Sequence, residues 1–179
     1  MNNFKKTGFV ALILVSGLQE IAVAQSSASG PVPPLLARST LPVLGKAPAW
    51  VLRDVEGREV KSSDYLGKVV EVDFWATWCP PCRKEIPDYI AWQKKYAQRG
   101  LVILGLSLDE APASAVKAFG DKMKINYPLL MADAATSEAF GGIEGLPTAF
   151  VIDREGNIRH RKVGLSDPEA YEKLIASLL

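Results

Sequence analysis

The stretch Trp75-Ala76-Thr77-Trp78-Cys79-Pro80-Pro81-Cys82-Arg83-Lys84-Glu85-Ile86-Pro87 constrains the chain more than any other. It holds the only two cysteines of 179 residues, three positions apart. Before it, Val69 to Trp75 is an apolar run that reads as a buried strand. After the cysteines, Ile86, Tyr89, Ile90 and Tyr96 recur at helical spacing. A strand feeding a helix places Cys79 at the helix N-terminus and Cys82 one turn inside. Free backbone N–H groups at a helix start favour negative charge, so Cys79 is expected to ionise readily, and the thiolate is the nucleophile. Cys82 is then in reach to resolve a mixed disulfide.

Two plainer readings compete. A structural disulfide across a two-residue loop removes little loop entropy and makes a poor staple. A structural zinc site needs about four ligands, and beyond this pair the chain offers only His160. Redox chemistry is favoured over both.

The string Val72-Asp73-Phe74-Trp75-Ala76 followed by Trp78-Cys79-Pro80-Pro81-Cys82-Arg83 resembles the thioredoxin superfamily. The longer run from Trp75 to Pro87 is similar to its TlpA/ResA-type branch of exported thiol–disulfide oxidoreductases. The resemblance runs from Lys46 to the C-terminus and implies an α/β, thioredoxin-like three-layer sandwich. Its central mixed sheet would carry an N-terminal β-hairpin and an inserted helix–strand unit.

The N-terminus reads as a targeting segment. Lys5 and Lys6 precede an apolar core, Gly8 to Leu18, and Ala22-Val23-Ala24 is an A-x-A cleavage signal. The core is shorter than the roughly 20 residues that span a bilayer. Residues 1–24 are therefore assigned as a signal peptide that directs the chain to the periplasm, with an uncleaved anchor as the alternative. Cleavage removes two of 21 basic and one of 20 acidic residues, leaving 19 of each. That balance gives no sign of nucleic-acid or membrane-surface binding. Residues 25–45, rich in Ser, Pro and small side chains, read as a flexible arm. Residues 46–179 form one domain, whose core must come from packing; 48% hydrophobic composition suffices.

Within that domain Trp50 to Leu52 and Glu59 to Lys61 flank Glu56-Gly57 as a hairpin. Ser62 to Leu66 reads as a short helix. Gly100 marks the end of the cysteine helix and Leu101 to Leu108 a second buried strand, a right-handed crossover. Ala115, Val116, Phe119 and Met123 mark the inserted helix, and Tyr127 to Met131 its strand. Ala134 to Gly141 reads as a further short helix. Ala149 to Asp153 and Ile158 to Val163 pair around Glu155-Gly156-Asn157, and Tyr171, Leu174, Ile175 and Leu178 mark a final helix.

The resemblance adds roles. Thioredoxins carry a buried aspartate at the place of Asp73, where desolvation would raise its pKa and let it exchange a proton with Cys82. Asp73 shares a strand face with Glu71 and Trp75, so a solvated, edge-facing aspartate is the other reading. ResA-type proteins carry a glutamate at the place of Glu85, a second acid/base candidate; otherwise Glu85 simply suits the helix dipole. Leu146-Pro147 matches the superfamily's cis-proline, which exposes residue 146 to an extended substrate. Trp78, Pro80, Leu146 and Pro147 thus make up the implied substrate surface. Pro87 removes a helical N–H. His160 has no assigned role.

The sequence thus describes a periplasmic protein thiol–disulfide oxidoreductase, a monomer working through a Cys79–Cys82 disulfide without metal or cofactor. A membrane electron donor and a place in cytochrome c maturation follow from the resemblance. Relatives dedicated to cytochromes often have Glu after the cis-proline, where this chain has Thr148, which widens the client range. One alternative is a thiol peroxidase, but the peroxiredoxin box needs Pro and Thr where Val72 and Ala76 stand. The other is a copper metallochaperone, whose Sco-like Cys-x-x-x-Cys spacing is one residue longer.

Overall fold

The computed structural model describes residues 40–179. The expected signal peptide and residues 25–39 of the expected arm lie outside the described residues. In chain order come β1 (Gly45–Lys46), β2 (Val51–Asp54), β3 (Glu59–Lys61), β4 (Val69–Trp75), α1 (Pro80–Tyr96), β5 (Leu101–Ser107) and α2 (Ala113–Met123). They are followed by β6 (Leu129–Met131), α3 (Ala134–Ala139), β7 (Thr148–Ile152), β8 (Asn157–Val163) and α4 (Pro168–Ala176). A 3-10 turn, Ser62–Tyr65, occupies the place of the expected short helix.

The eight strands form one sheet in the order β1-β8-β7-β4-β5-β6-β2-β3. β4, β5 and β6 run parallel, and the other pairings are antiparallel. The expected hairpin is β2–β3, closed by Asp54, whose Oδ1 accepts from the Glu56 and Arg58 amides. The inserted unit is α2 and β6, and β6 joins β5 to the hairpin. Gly100 takes the left-handed conformation that ends the α1 segment (φ 96°), a position that favours glycine. The last residues before β1 are tied to β8: the Leu44 amide donates to the Ile158 carbonyl, and Arg159 donates to the carbonyls of Leu41 and Pro42.

β4 is central and wholly buried, and its alternation divides the core. Val70, Val72 and Phe74 point into one cluster with Leu104, Leu106, Phe140 and Phe150. Val69 and Trp75 point into the other, with α1, Val116 of α2, and Tyr171 and Ile175 of α4. Glu71 and Asp73 share that second face. Cross-strand register sets their neighbours. Asp73 pairs with Gly105 of β5 on one side and Ala149 of β7 on the other, and Ala149 pairs with Lys162 of β8. The next row runs Glu71, Val151, His160.

A bulge at Arg159 decides which β8 side chains belong to these rows. Pairing steps from Val151–His160 to Ile152–Ile158, leaving Arg159 as the extra residue. Ile158 therefore packs in the apolar cluster, while His160 and Lys162 turn to the α1 side.

Candidate active site

The strand-to-helix junction is built as its sequence requires. Cys79 is the N-cap of α1, with extended backbone, and its Sγ accepts from the Cys82 amide at 3.3 Å. Pro80 and Pro81 fill the first helical positions, where a missing N–H costs nothing. Cys79 and Cys82 form a disulfide with S–S 2.06 Å and Cα atoms 5.4 Å apart. The cysteines are 3% and 2% exposed, so in this oxidised state exposure does not separate them. Access does separate them. Cys79 lines an open groove of about 430 Å³ with Trp78, Pro80, Pro81, Leu108 and residues 143–146, and Cys82 is not part of its wall.

Asp109 holds the loop before Cys79. Its carboxylate accepts from the Thr77 amide (2.9 Å), the Thr77 hydroxyl (2.5 Å) and the Ser107 hydroxyl (2.7 Å). Leu108 N–H donates to Trp75 O at 2.9 Å. β4 and β5 are thereby joined at the end from which the cysteines project. Asp109 was missed in the sequence, where the strand ends at Leu108 and Asp109 merely follows it.

The two tryptophans part company. Trp78 is 66% exposed and stands at the groove. Trp75 is buried and packs on Phe119 of the inserted helix. Gly105 allows this: a Cβ there would lie 2.9 Å from Trp75 Nε1 and 2.8 Å from Leu129 Cδ2. Opposite Cys79, the Leu146–Pro147 peptide is cis, and Leu146 lines the groove while Pro147 is buried. Thr148 opens β7, with its hydroxyl donating to Gly145 O. Trp78, Pro80 and Leu146 thus meet at one surface with Cys79.

Asp73 and Glu85 lie beneath, in the core under α1. Both are buried, so Asp73 is not the solvated, edge-facing aspartate of the other reading, and Glu85 lies past the first turn of α1, not in the position where it would simply suit the helix dipole. Burial first, and then the neighbouring Glu71 charge, push the Asp73 carboxyl well above the usual range. Its Oδ1 has no hydrogen-bond partner. Burial also raises Glu85, opposed by the ammonium of Lys162, with which it forms a buried ion pair. Glu71, fully buried, is pushed up to about 7 by desolvation, with Lys162 and the Tyr171 hydroxyl pulling it back. That hydroxyl lies 3.0 and 3.1 Å from the two Glu71 oxygens. Tyr89 OH also favours the charged forms of Glu71 and Glu85, yet makes no hydrogen bond of good geometry.

Glu71 and Lys162 carried no role in the sequence reading. Glu71 had a signal: two acidic residues alternate on one face of an otherwise apolar strand. Lys162 sat in the run Arg159 to Lys162, which looks solvated, and only the bulge reveals where it points. His160 packs against the Tyr171 ring, and burial lowers its pKa.

A dithiol–disulfide pair at a helix N-terminus, on a thioredoxin-like sheet and beside a cis-proline, defines the class of redox proteins to which this molecule belongs. The model of the AhpC/TSA family matches residues 43–161. The thiol–disulfide oxidoreductase ResA of Bacillus anthracis is 35% identical over 130 residues, 72% of this chain and 75% of the relative. ResA of Geobacillus thermodenitrificans is 31% identical over 141 residues, 79% and 80% of the two chains. Among solved structures, a Chlorobium tepidum protein described as the thiol:disulfide interchange protein DsbE superposes with a TM-score of 0.70 at 34% identity, covering 78% of this chain and 99% of that one. The chain belongs to the AhpC/TSA family and is a thiol–disulfide oxidoreductase of the ResA kind, with Cys79 and Cys82 as its redox pair.

Proposed function

We propose that the protein is an exported reductase of protein disulfides, in which Cys79 attacks and Cys82 resolves. The observation that carries this reading is the groove beside Cys79, walled by Trp78, Pro80 and Leu146 and open to an extended chain. In the reducing direction the Cys79 thiolate attacks a client disulfide. A Cys79–client bond forms, one client sulfur leaves as a thiolate, and Cys82 then displaces the second. The client gains two electrons and the pair becomes the disulfide.

Cys82 must lose a proton as it attacks and regain one when the pair is reduced again. Asp73 is the acid/base group for that proton, because its burial keeps it protonated in the oxidised state; Glu85 assists as its charged neighbour. The A-x-A signal supports export and cleavage near Gln25, into the periplasm. There a reductase needs electrons from a membrane thiol donor, because the compartment is oxidising. Among the described residues no helix is long and apolar enough to cross a membrane. Maturation of apocytochrome c is one fitting pathway, and Thr148 after the cis-proline admits other clients. The protein acts as a monomer.

Acid trapping of thiols in intact cells, with N-terminal sequencing of the periplasmic protein, tests the reading. A largely reduced pair on a chain beginning near Gln25 is expected. A fully oxidised pair would make the protein an oxidant of thiols, and an intact Met1 in the membrane fraction would replace the cleaved signal by an anchor.

A further inference from the structure

Beneath the cysteine helix the buried charges do not balance. Glu71, Asp73 and Glu85 are 0%, 5% and 7% exposed, and Lys162, at 6%, is the only buried cation among the described residues. An isolated buried charge is costly, and a buried carboxyl without a partner keeps its proton instead. Below about pH 7, where Glu71 titrates, one ammonium therefore holds one of the three carboxyls as an anion, and its position selects which.

The register shows how Lys162 reaches its place. It lies in the row Gly105, Asp73, Ala149, Lys162, in which both neighbours of Asp73 are the smallest residues available. Lys162 passes over Ala149 toward α1 and pairs with Glu85. Its ammonium lies 5.6 Å from the centre of the Tyr89 ring and 5.1 Å from that of Tyr171, so α1 and α4 hold it on two sides. Asp73 Oδ1 and Glu85 Oε2 are left without partners.

We propose that Lys162 is a positioning residue for the proton-transfer step: by holding Glu85 as the anion of the buried set, it leaves the transferable proton on Asp73. The inference rests on the reading of Asp73 as the acid/base group. When a donor dithiol re-reduces the protein, its thiolate bonds to Cys79, the Cys79–Cys82 bond breaks, and the electron pair leaves on Cys82. The proton on Asp73 passes to that thiolate. The donor's second thiol then displaces Cys79 and the donor becomes a disulfide.

Other titratable groups face this set from every side. Tyr89 and Asp88 belong to α1, Tyr171 to α4, and His160 to β8 beside Lys162. Tyr127, just before β6, senses Asp73, Glu71 and Glu85. None of these supplies a second buried ammonium. Removing the Glu85 charge therefore leaves Lys162 unbalanced, and Glu71 or Asp73 must ionise to replace it; with Glu71 changed to glutamine, only Asp73, in the row of Lys162, is left to do so.

The test is the pH dependence of disulfide reduction by dithiothreitol in the full chain, with rates expressed per reagent thiolate so that the reagent's titration cancels. In a Glu71→Gln background, Glu85→Gln is expected to ionise Asp73 earlier, moving the fall in rate down by about one pH unit or more, a tenfold change in the ionisation constant. Adding Lys162→Met should return the profile to that of Glu71→Gln alone. Because the double variant removes both members of a buried pair, it is expected to fold. If the double variant stays with Glu85→Gln, or is slower at all pH values, Lys162 is only a structural prop and the inference fails. A wild-type profile in Asp73→Asn would instead overturn the acid/base reading, and the inference with it.

Discussion

The two faces of β4 are made by alternate residues of the same seven-residue strand, yet they follow opposite rules. On one, Val70, Val72 and Phe74 pack in an apolar cluster, and Phe74 sits edge-on to Phe140 and Phe150 at 5.3 and 6.1 Å. On the other, Glu71 and Asp73 lie between Val69 and Trp75, under the helix that carries the cysteines. The first face stabilises the domain. The second buries carboxyls at a cost, on the side of the sheet where the core cluster also holds Cys79 and Cys82. The apolar packing and the carboxyls on which the proposed proton transfer relies thus lie on opposite sides of one strand.

The largest effect should come from the apolar face. Phe74→Ala removes a fully buried ring and should cost about 3–5 kcal/mol. Chemical denaturation would show this, while the pH profile of disulfide reduction keeps its midpoint. A moved midpoint would show that the two faces are not independent.

The charged face should respond with the opposite sign. Glu71 titrates near 4.5 unfolded and at about 7 when folded, so between those values the native state holds the extra proton. Stability is therefore undiminished below pH 4.5 and falls as pH rises through 7. Glu71→Gln removes that loss and should gain about 3 kcal/mol at pH 8 relative to its effect at pH 4, from the size of the shift. Asp73→Asn should show the same sign, since its folded value is also raised. Equal effects at both pH values would mean that these carboxyls are solvated in solution.

The smallest change in stability belongs to the groove. Trp78 is exposed, so Trp78→Ala should alter stability by no more than about 0.5 kcal/mol. It should nevertheless weaken reduction of a protein disulfide more than of dithiobis-nitrobenzoate, which needs no extended groove. Equal losses on both would remove Trp78 from the client surface.

Much of this arrangement was legible in the sequence because it depends on local pattern. The β4–α1 junction, the hairpin, the insertion and the cis-proline position follow from periodicity, turn residues and the match around Trp78 to Arg83. What was not legible depends on register. Whether Asp73 was solvated turned on which strands flank β4, and Gly105 and Ala149 were needed to see the space beside it. Strict alternation would put Ile158, His160 and Lys162 on one face; the bulge at Arg159 separates the first from the other two. A bulge has no reliable local signature in Asn157-Ile158-Arg159-His160. Asp109 was missed for a similar reason, since its partner Thr77 is 32 residues away.

The division of labour between the two cysteines is the claim on which the rest depends. The direct measurement is trapping: Cys82→Ser and Cys79→Ser variants are produced in cells, quenched with acid and alkylating agent, and separated without reductant. The account predicts mixed disulfides with client proteins on Cys82→Ser, released by dithiothreitol, and few or none on Cys79→Ser. Adducts confined to Cys79→Ser would contradict it, making Cys82 the attacking thiol despite its place behind the groove.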